Sequence, residues 1–229
     1  MCGRFAQTSD SKTLVELFGL VASVHVEPRY NLAPTQSILT VRPAREGNIA
    51  QHMRWGLVPP WAKDLSGGSK LINARAETVF EKRSFSKPAR HQRCVVPADG
   101  FYEWRKTKEG RSPTLFRPKL NTPFCFAGLW SRWVNAEGEV VYTATILTTA
   151  ANTTMKPFHH RMPVLLSGKN VDTWLDESLT DPHRLTPLLK SADDNAISSQ
   201  PVSNRVNSVR NDDQLCWSKP DDPTNQTQC

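Results

Sequence analysis

Short segments in which apolar and polar side chains alternate dominate the sequence and predict a protein built mainly from β-strands. β-Branched and aromatic residues are concentrated in these segments, as is typical of strands. We expect strands near residues 4–6, 37–42, 49–55, 71–78, 94–97, 114–117, 124–130, 140–148, 164–166 and 201–207. Residues 29–35 are rich in turn formers, and residues 63–70 are polar with two glycines, so both are expected to be loops.

A helical period of apolar residues is found in three places. The first helix is expected to begin at Asp10 and end near Gly19. Its apolar face comprises Leu14, Leu17, Phe18 and Val21. The other two helices are expected near residues 171–175 and 181–189. Because no internal repeat or linker is found, we predict one domain over residues 1–218, followed by a disordered tail at 219–229.

The segment Trp55–Trp61 holds two tryptophans and two prolines in seven residues and predicts a rigid aromatic loop. Proline excludes both a helix interior and a central strand there. Two roles are open: Trp55 can plug the end of a barrel, or an exposed Pro-Trp edge can stack on nucleic-acid bases.

Composition narrows the class of protein. A chain of 229 residues without a long apolar run or a charged-then-apolar leader is expected to be intracellular and cytoplasmic, at the nucleoid in a bacterium. Five scattered cysteines argue against a disulfide framework, and without Cys-x-x-Cys pairs a metal site is not expected. A net charge of +7 favours an anionic partner such as nucleic acid, although it can also serve solubility alone.

Cys2 carries the most distinctive chemistry. Aminopeptidases remove an initiator methionine that precedes a small residue, and Cys2 would then hold a free α-amine beside its thiol. With reference pKa values near 7.8 and 8.5, both groups are partly reactive at neutral pH. Such a 1,2-aminothiol attacks an aldehyde through the amine, and the thiol then closes a five-membered thiazolidine ring at high effective molarity. The alternative is an inert terminal cysteine.

Two other places suggest proton-transfer chemistry. Glu103 is flanked by Phe101, Tyr102 and Trp104, and burial among them would raise its pKa toward that of a general acid. Adjacent His159 and His160 stand beside Arg161 in a loop before a predicted strand.

Seven motifs in order from residue 2 to about residue 207 resemble the SRAP family, the SOS-response-associated peptidases or abasic-site processing proteins. They are Cys2-Gly3-Arg4-Phe5, Asn31-Leu32-Ala33-Pro34-Thr35, Trp55-Gly56-Leu57-Val58-Pro59-Pro60-Trp61, Asn73-Ala74-Arg75-Ala76-Glu77-Thr78, Phe101-Tyr102-Glu103-Trp104, His159-His160-Arg161-Met162-Pro163 and Pro201-Val202-Ser203. The resemblance implies an α+β, mainly β single domain with a barrel-like antiparallel sheet core and a few peripheral helices.

The resemblance also implies a function and a set of site residues. The protein is expected to act as a monomer, without a cofactor, on abasic sites in single-stranded DNA, capturing the ring-opened aldehyde covalently as a thiazolidine, with a lyase-like activity and peptidase-type maturation of its N-terminus. Cys2 would be the nucleophile, Asn73 would orient it, Glu103 would be the acid and base, and His159 would assist imine formation or its reversal. Arg4, Arg75 and Arg161 would hold phosphates, and Pro34 and Trp61 would line the DNA path.

Two other classes of function stay open. N-terminal-nucleophile amidohydrolases also begin Met-Cys-Gly and use the same amine and thiol, but the glycine-rich continuation expected of them is not found here. The second class is a non-catalytic module that binds single-stranded DNA, in which Cys2 has no chemical role.

Overall fold

The computed structural model describes residues 2–108, 110–120 and 122–220. Most of the predicted disordered tail, residues 221–229, lies outside this part of the chain. The strands are β1 (Phe5–Gln7), β2 (Arg29–Leu32), β3 (Ser37–Ala44), β4 (Gly47–Trp55), β5 (Asn73–Arg75), β6 (Arg93–Ala98), β7 (Gly100–Thr107), β8 (Gly110–Pro118), β9 (Phe124–Val134), β10 (Val140–Ala150), β11 (Arg161–Pro163), β12 (Leu165–Leu166) and β13 (Ile197–Pro201). The α-helices are α1 (Ser11–Phe18), α2 (Ser86–His91), α3 (Lys169–Leu175) and α4 (Pro182–Leu185).

Five of these strands form a closed barrel. Strands β4, β3, β6 and β9 pair in that order, and β10 pairs with both β9 and β4, which closes the ring. Closure leaves no free edge among the five. The predicted mainly β fold with a barrel-like core is therefore confirmed. The β4–β10 pair is parallel, whereas the other four pairs of the ring are antiparallel.

A second sheet, in the order β13-β8-β7-β1-β2, positions the N-terminus. Strand β1 lies between β2 and β7, and Phe5 is opposite Phe101 in the antiparallel β1–β7 pair. Continuing that register by two residues brings Gly3 opposite Glu103. Residues that are about a hundred positions apart in sequence are thus adjacent in space.

Both faces of the barrel strands are buried. Successive residues of a strand point to opposite faces, so Val95 belongs to one apolar cluster and Val96 to another. The first cluster includes Leu14 and Trp174 and anchors the helices. Cys2 lies in the second cluster.

Several sequence expectations need correction. Residues 29–35 contain strand β2, and the loop at 63–70 contains a 3₁₀ helix, Ser66–Lys70. A strand is expected at 201–207, but strand β13 lies earlier and ends at Pro201. A 3₁₀ helix, Asn204–Asn207, follows it. Strand β2 forms despite the local turn propensity because it pairs with β1.

Helix α1 is confirmed in its ends but not in its whole apolar face. Asp10 accepts a hydrogen bond from the Thr13 amide, and Gly19 adopts the left-handed conformation of a C-cap. Leu14 and Phe18 are buried as expected. Leu17 and Val21 are 39% and 49% exposed, because α1 ends before Val21 and presents a narrower face to the core.

Gly56 occupies a position that an alanine is not expected to tolerate. Its φ is +122°, and an added Cβ would lie 2.5 Å from the Gly68 carbonyl oxygen, a backbone atom. Gly56→Ala is expected to destabilise the protein by about 3 kcal/mol, which lowers Tm by about 6–12 °C in a chain of this size. Gly67→Ala is the matched control, since an added Cβ there meets no atom within 4 Å. Equal melting temperatures for the two variants would contradict this account.

Candidate active site

Cys2 lies three residues before the start of β1 and is only 1% exposed. Its carbonyl oxygen accepts a hydrogen bond of 2.8 Å from Nδ2 of Asn73. Burial raises the pKa of the Cys2 thiol, and the nearby Glu103 carboxylate raises it further. The thiol is therefore neutral in this environment, and Glu103 is close enough to affect it electrostatically.

Asn73 is brought to Cys2 by strand β5. This strand runs parallel to β10, with Asn73 beside Ile146. The Asn73 side chain donates to Cys2, and its Oδ1 atom is buried without a hydrogen-bond partner in the described part of the chain. The Oδ1 atom of Asn73 is therefore a buried acceptor that is available to a hydrogen-bond donor next to Cys2. That donor can be a group of the substrate or the α-amine that Cys2 gains when Met1 is removed.

Glu103 combines burial with proximity to Cys2. It is 8% exposed, on strand β7 opposite Thr114. Burial raises the pKa of the Glu103 carboxyl group, as expected from its aromatic neighbours in the sequence. A carboxyl group with a raised pKa next to a nucleophile can donate a proton and later take one back.

His159 is oriented by the backbone of Arg161. Its Nδ1 atom accepts a hydrogen bond of 2.9 Å from the Arg161 amide, so the neutral ring carries its proton on Nε2. Burial lowers the pKa of His159, and the nearby His160 lowers it further. The two imidazole rings are stacked with centroids 4.3 Å apart.

Arg161 is buried and forms an ion pair with the exposed Glu77 that the sequence did not indicate. It donates to both carboxylate oxygens of Glu77, at 2.7 and 2.8 Å, and to the Thr148 carbonyl at 2.5 Å. Glu77 can reach it because β5 ends at Arg75 and the chain turns in a 3₁₀ helix, Ala76–Thr78. The strand expected over residues 71–78 is thus too long. The phosphate contact expected of Arg161 stays a prediction, and the ion pair fixes the strand that follows His159.

A cleft of about 590 Å³ opens at Glu103 and His159. Gly3, Glu103 and His159 line it, so Cys2 lies beside its wall. Its remaining lining residues are mainly cationic or aromatic: Arg4, Trp104, Arg105, Lys106, Arg111, Pro157 and Phe158. Four cationic side chains around one buried carboxyl group favour an anionic ligand.

The sequence model described as "SOS response associated peptidase (SRAP)" matches residues 1–209. The chain belongs to the SRAP family. The Bacillus subtilis (strain 168) protein named abasic site processing protein YoqW is 43% identical over 215 residues, covering 92% of this chain and 96% of that relative. The chicken protein named abasic site processing protein HMCES is 33% identical over 221 residues, covering 82% of this SRAP chain and 65% of the longer relative.

The SRAP fold is also found in a crystal structure of a Bacteroides thetaiotaomicron protein. The two structures superimpose with a TM-score of 0.84 at 25% sequence identity. The match covers 95% of this chain and 99% of the other.

The remaining residues that the resemblance assigned to this SRAP site lie nearer the surface. Trp61 is 52% exposed, and the Arg83 guanidinium lies 4.9 Å from its ring centroid. Arg75 is exposed and Pro34 is half-buried. Trp55, in contrast, is fully buried and donates to the Ile72 carbonyl at 2.9 Å, so the aromatic loop has a packed end and an exposed end.

Within residues 2–108, 110–120 and 122–220, no group of three or more His, Cys, Asp or Glu side chains could hold a metal ion. Over the same ranges, no helix has the length and apolar character needed to cross a membrane.

Proposed function

We propose that this protein processes abasic sites in DNA and does so by covalent capture through Cys2. The relatives named abasic site processing proteins support the DNA lesion as substrate. The observation that carries the chemistry is the contact set of Cys2: its carbonyl is held by Asn73, and its thiol lies close to the buried Glu103 beside a cationic cleft.

Capture follows removal of Met1, which leaves an α-amine on Cys2. The neutral amine attacks the aldehyde carbon of the ring-opened abasic site, and the carbonyl oxygen takes a proton. Loss of water gives a protonated imine. The Cys2 sulfur then bonds to the same carbon while the thiol proton leaves, so the thiazolidine forms with the net loss of one water molecule.

Glu103 is suited to both proton transfers. Burial raises its pKa and so favours the protonated form that the dehydration step needs, and the carboxylate it becomes can accept the thiol proton during ring closure. A neutral thiol that loses its proton only in the second step also agrees with the burial of Cys2. Neutral His159 at the cleft can relay a proton for ring closure or for its reversal.

Single-stranded DNA is the proposed partner. The cleft presents Arg4, Arg105, Lys106 and Arg111, whose charges can replace counterions on phosphates. The exposed ring of Trp61 offers a surface on which a base can stack. Arg75 and Arg161 remain proposed phosphate contacts.

Intact-protein mass spectrometry after mixing the protein with a single-stranded oligonucleotide that carries one abasic site tests the proposal. We expect a heat-stable species equal in mass to protein plus oligonucleotide minus water. An oligonucleotide with a tetrahydrofuran in place of the abasic sugar has no aldehyde and is expected to give no adduct. If the protein lacks Met1 and still gives no adduct with the aldehyde, covalent capture is wrong, and glutamine hydrolysis and plain DNA binding become the activities to measure.

A further inference from the structure

The segment from Ser203 to Trp217, here called the C-terminal clasp, packs on strand β2. Its second half extends beyond residue 209, where the SRAP match ends. The link is Asp212: its Oδ1 atom accepts hydrogen bonds from the Tyr30 and Asn31 amides, at 2.6 and 2.7 Å. Its Oδ2 atom accepts from Nε of Arg29. One carboxylate therefore fixes three consecutive residues of β2.

Asn31 ties the clasp to the N-terminal strand. The residue is fully buried, and its Nδ2 atom donates to three clasp carbonyls, those of Val206, Ser208 and Asn211, at 3.2, 2.9 and 2.6 Å. Its Oδ1 atom accepts a hydrogen bond of 2.6 Å from Nη1 of Arg4. The amide oxygen thus faces Arg4 because the amide nitrogen is turned toward the clasp.

The clasp holds Arg4 but does not use all of its hydrogen-bond donors. Nη1 also donates to the Val206 carbonyl at 2.8 Å, so both of its hydrogens are used. A guanidinium has five N–H donors. Nε is buried without a partner in the described residues, although Arg4 lines the cleft. An arginine with one side fixed and donors left over is preorganised for an anion.

Trp104 gives the clasp a second contact with the cleft. Its indole nitrogen donates to Oδ1 of Asn207 at 2.7 Å. The Arg4 guanidinium carbon lies 5.6 Å from the Trp104 ring centroid. The clasp therefore contacts both the Arg4 guanidinium and the Trp104 ring that it lies over.

We propose that Asp212 and Asn31 are positioning residues that act through Arg4 to hold its guanidinium for a DNA phosphate. This inference rests on the proposed function, because it assigns Arg4 a phosphate of the bound strand. It assigns the clasp a part in DNA binding although half of it lies beyond the family match.

A double-mutant cycle on DNA affinity tests this proposal. Single-stranded oligonucleotide without a lesion is titrated by fluorescence anisotropy against the parent protein, Arg4→Gln, Asp212→Ala and the double variant. We expect Arg4→Gln to weaken binding about tenfold and Asp212→Ala about fivefold. Because Asp212 acts through Arg4, the double variant is expected to bind no more weakly than Arg4→Gln alone, whereas independent effects would multiply. Each single variant is also expected to reduce the slope of log affinity against log salt by about 0.7.

Asp213→Ala is the matched control. Asp213 is the neighbouring carboxylate of the same clasp, where it pairs with Arg205 and accepts from the Leu215 amide, and within the described residues it has no hydrogen bond to β2. It is expected to leave the affinity within twofold of the parent value. If Asp212→Ala fails to fold, as judged by circular dichroism, Asn31→Ala replaces it, since this change removes the acceptor for Arg4 directly.

The outcomes separate this inference from the proposed function. Suppose that the parent protein binds DNA and forms the adduct, but the losses of affinity in the two single variants multiply in the double variant. This result would overturn the positioning role and leave the proposed function standing. An equal loss of affinity in Asp213→Ala would also overturn it, because the effect would then be general to the clasp. A parent protein with no affinity for DNA would overturn both proposals.

Discussion

Replacing Cys2 by serine is expected to abolish the heat-stable adduct with abasic DNA. The α-amine of residue 2 remains, so an imine can still form, but the hydroxyl is a far weaker nucleophile than sulfur for ring closure. The imine hydrolyses on heating, and intact-protein mass spectrometry should therefore show only free protein. Added borohydride should restore a stable adduct by reducing the imine.

The borohydride result separates the two nucleophiles of Cys2. If Cys2→Ser gives an adduct only with borohydride, the amine forms the imine and the sulfur makes the adduct heat-stable. A form that retains Met1 has an acylated nitrogen on Cys2, so it cannot form the five-membered ring. An undiminished heat-stable adduct in either protein would exclude thiazolidine formation at Cys2.

Cys94→Ser is the matched control for loss of a buried thiol. Cys94 is also fully buried and free of disulfides, but it lies within barrel strand β6. Any loss of stability from placing a hydroxyl in the core is common to both variants. Cys94→Ser is expected to keep the adduct, so a loss confined to Cys2→Ser reports chemistry and not folding.

Local sequence pattern predicted features that depend on neighbours in the chain. Glu103 stands among aromatic residues, and its burial follows from that position. Asp10 and Gly19 end α1 as their types suggest. The barrel strands are rich in β-branched and aromatic residues, which is typical of strands. The mainly β fold could thus be predicted, with errors chiefly where a segment is short.

Contacts between distant residues could not be predicted in this way. Glu103 meets Cys2 only because β1 pairs with β7, and the sequence gives no register for that pair. The Glu77–Arg161 pair depends on where β5 ends. The link from Asp212 to Asn31 spans 181 positions and joins the segment expected to be a loop at residues 29–35 to a part of the chain where the sequence indicated no element. Each of these contacts is set by tertiary packing.

Glu103→Gln is expected to slow adduct formation by about 10²–10⁴-fold, the usual contribution of a positioned general acid or base. Glutamine keeps the shape of the side chain but cannot give or take the proton. Stopped assays at saturating abasic oligonucleotide measure the rate. Glu139→Gln, at an exposed hairpin position, is the matched control and is expected to leave the rate unchanged.

The pH dependence distinguishes a proton donor from a structural carboxylate. The rate needs a neutral α-amine, with a reference pKa near 7.8, and a protonated Glu103, whose pKa is raised by burial. The parent rate should therefore rise with pH, level off and then fall at alkaline pH. In Glu103→Gln only the amine titrates, so the slower rate should rise and stay level. An alkaline fall that persists in the variant would remove Glu103 from the acid role.

Stability should change in the opposite direction to activity. Because the pKa of Glu103 is raised in the folded state, its contribution to stability is fully present below the carboxyl pKa of the unfolded chain, near 4.3, and is lost as pH rises through the higher folded value. At neutral pH the ionised form is the costly one, and Glu103→Gln removes that cost. The variant is therefore expected to melt at or above the parent temperature at neutral pH while reacting slowly. A variant that is both slow and unstable would instead make Glu103 a support of the fold around Cys2.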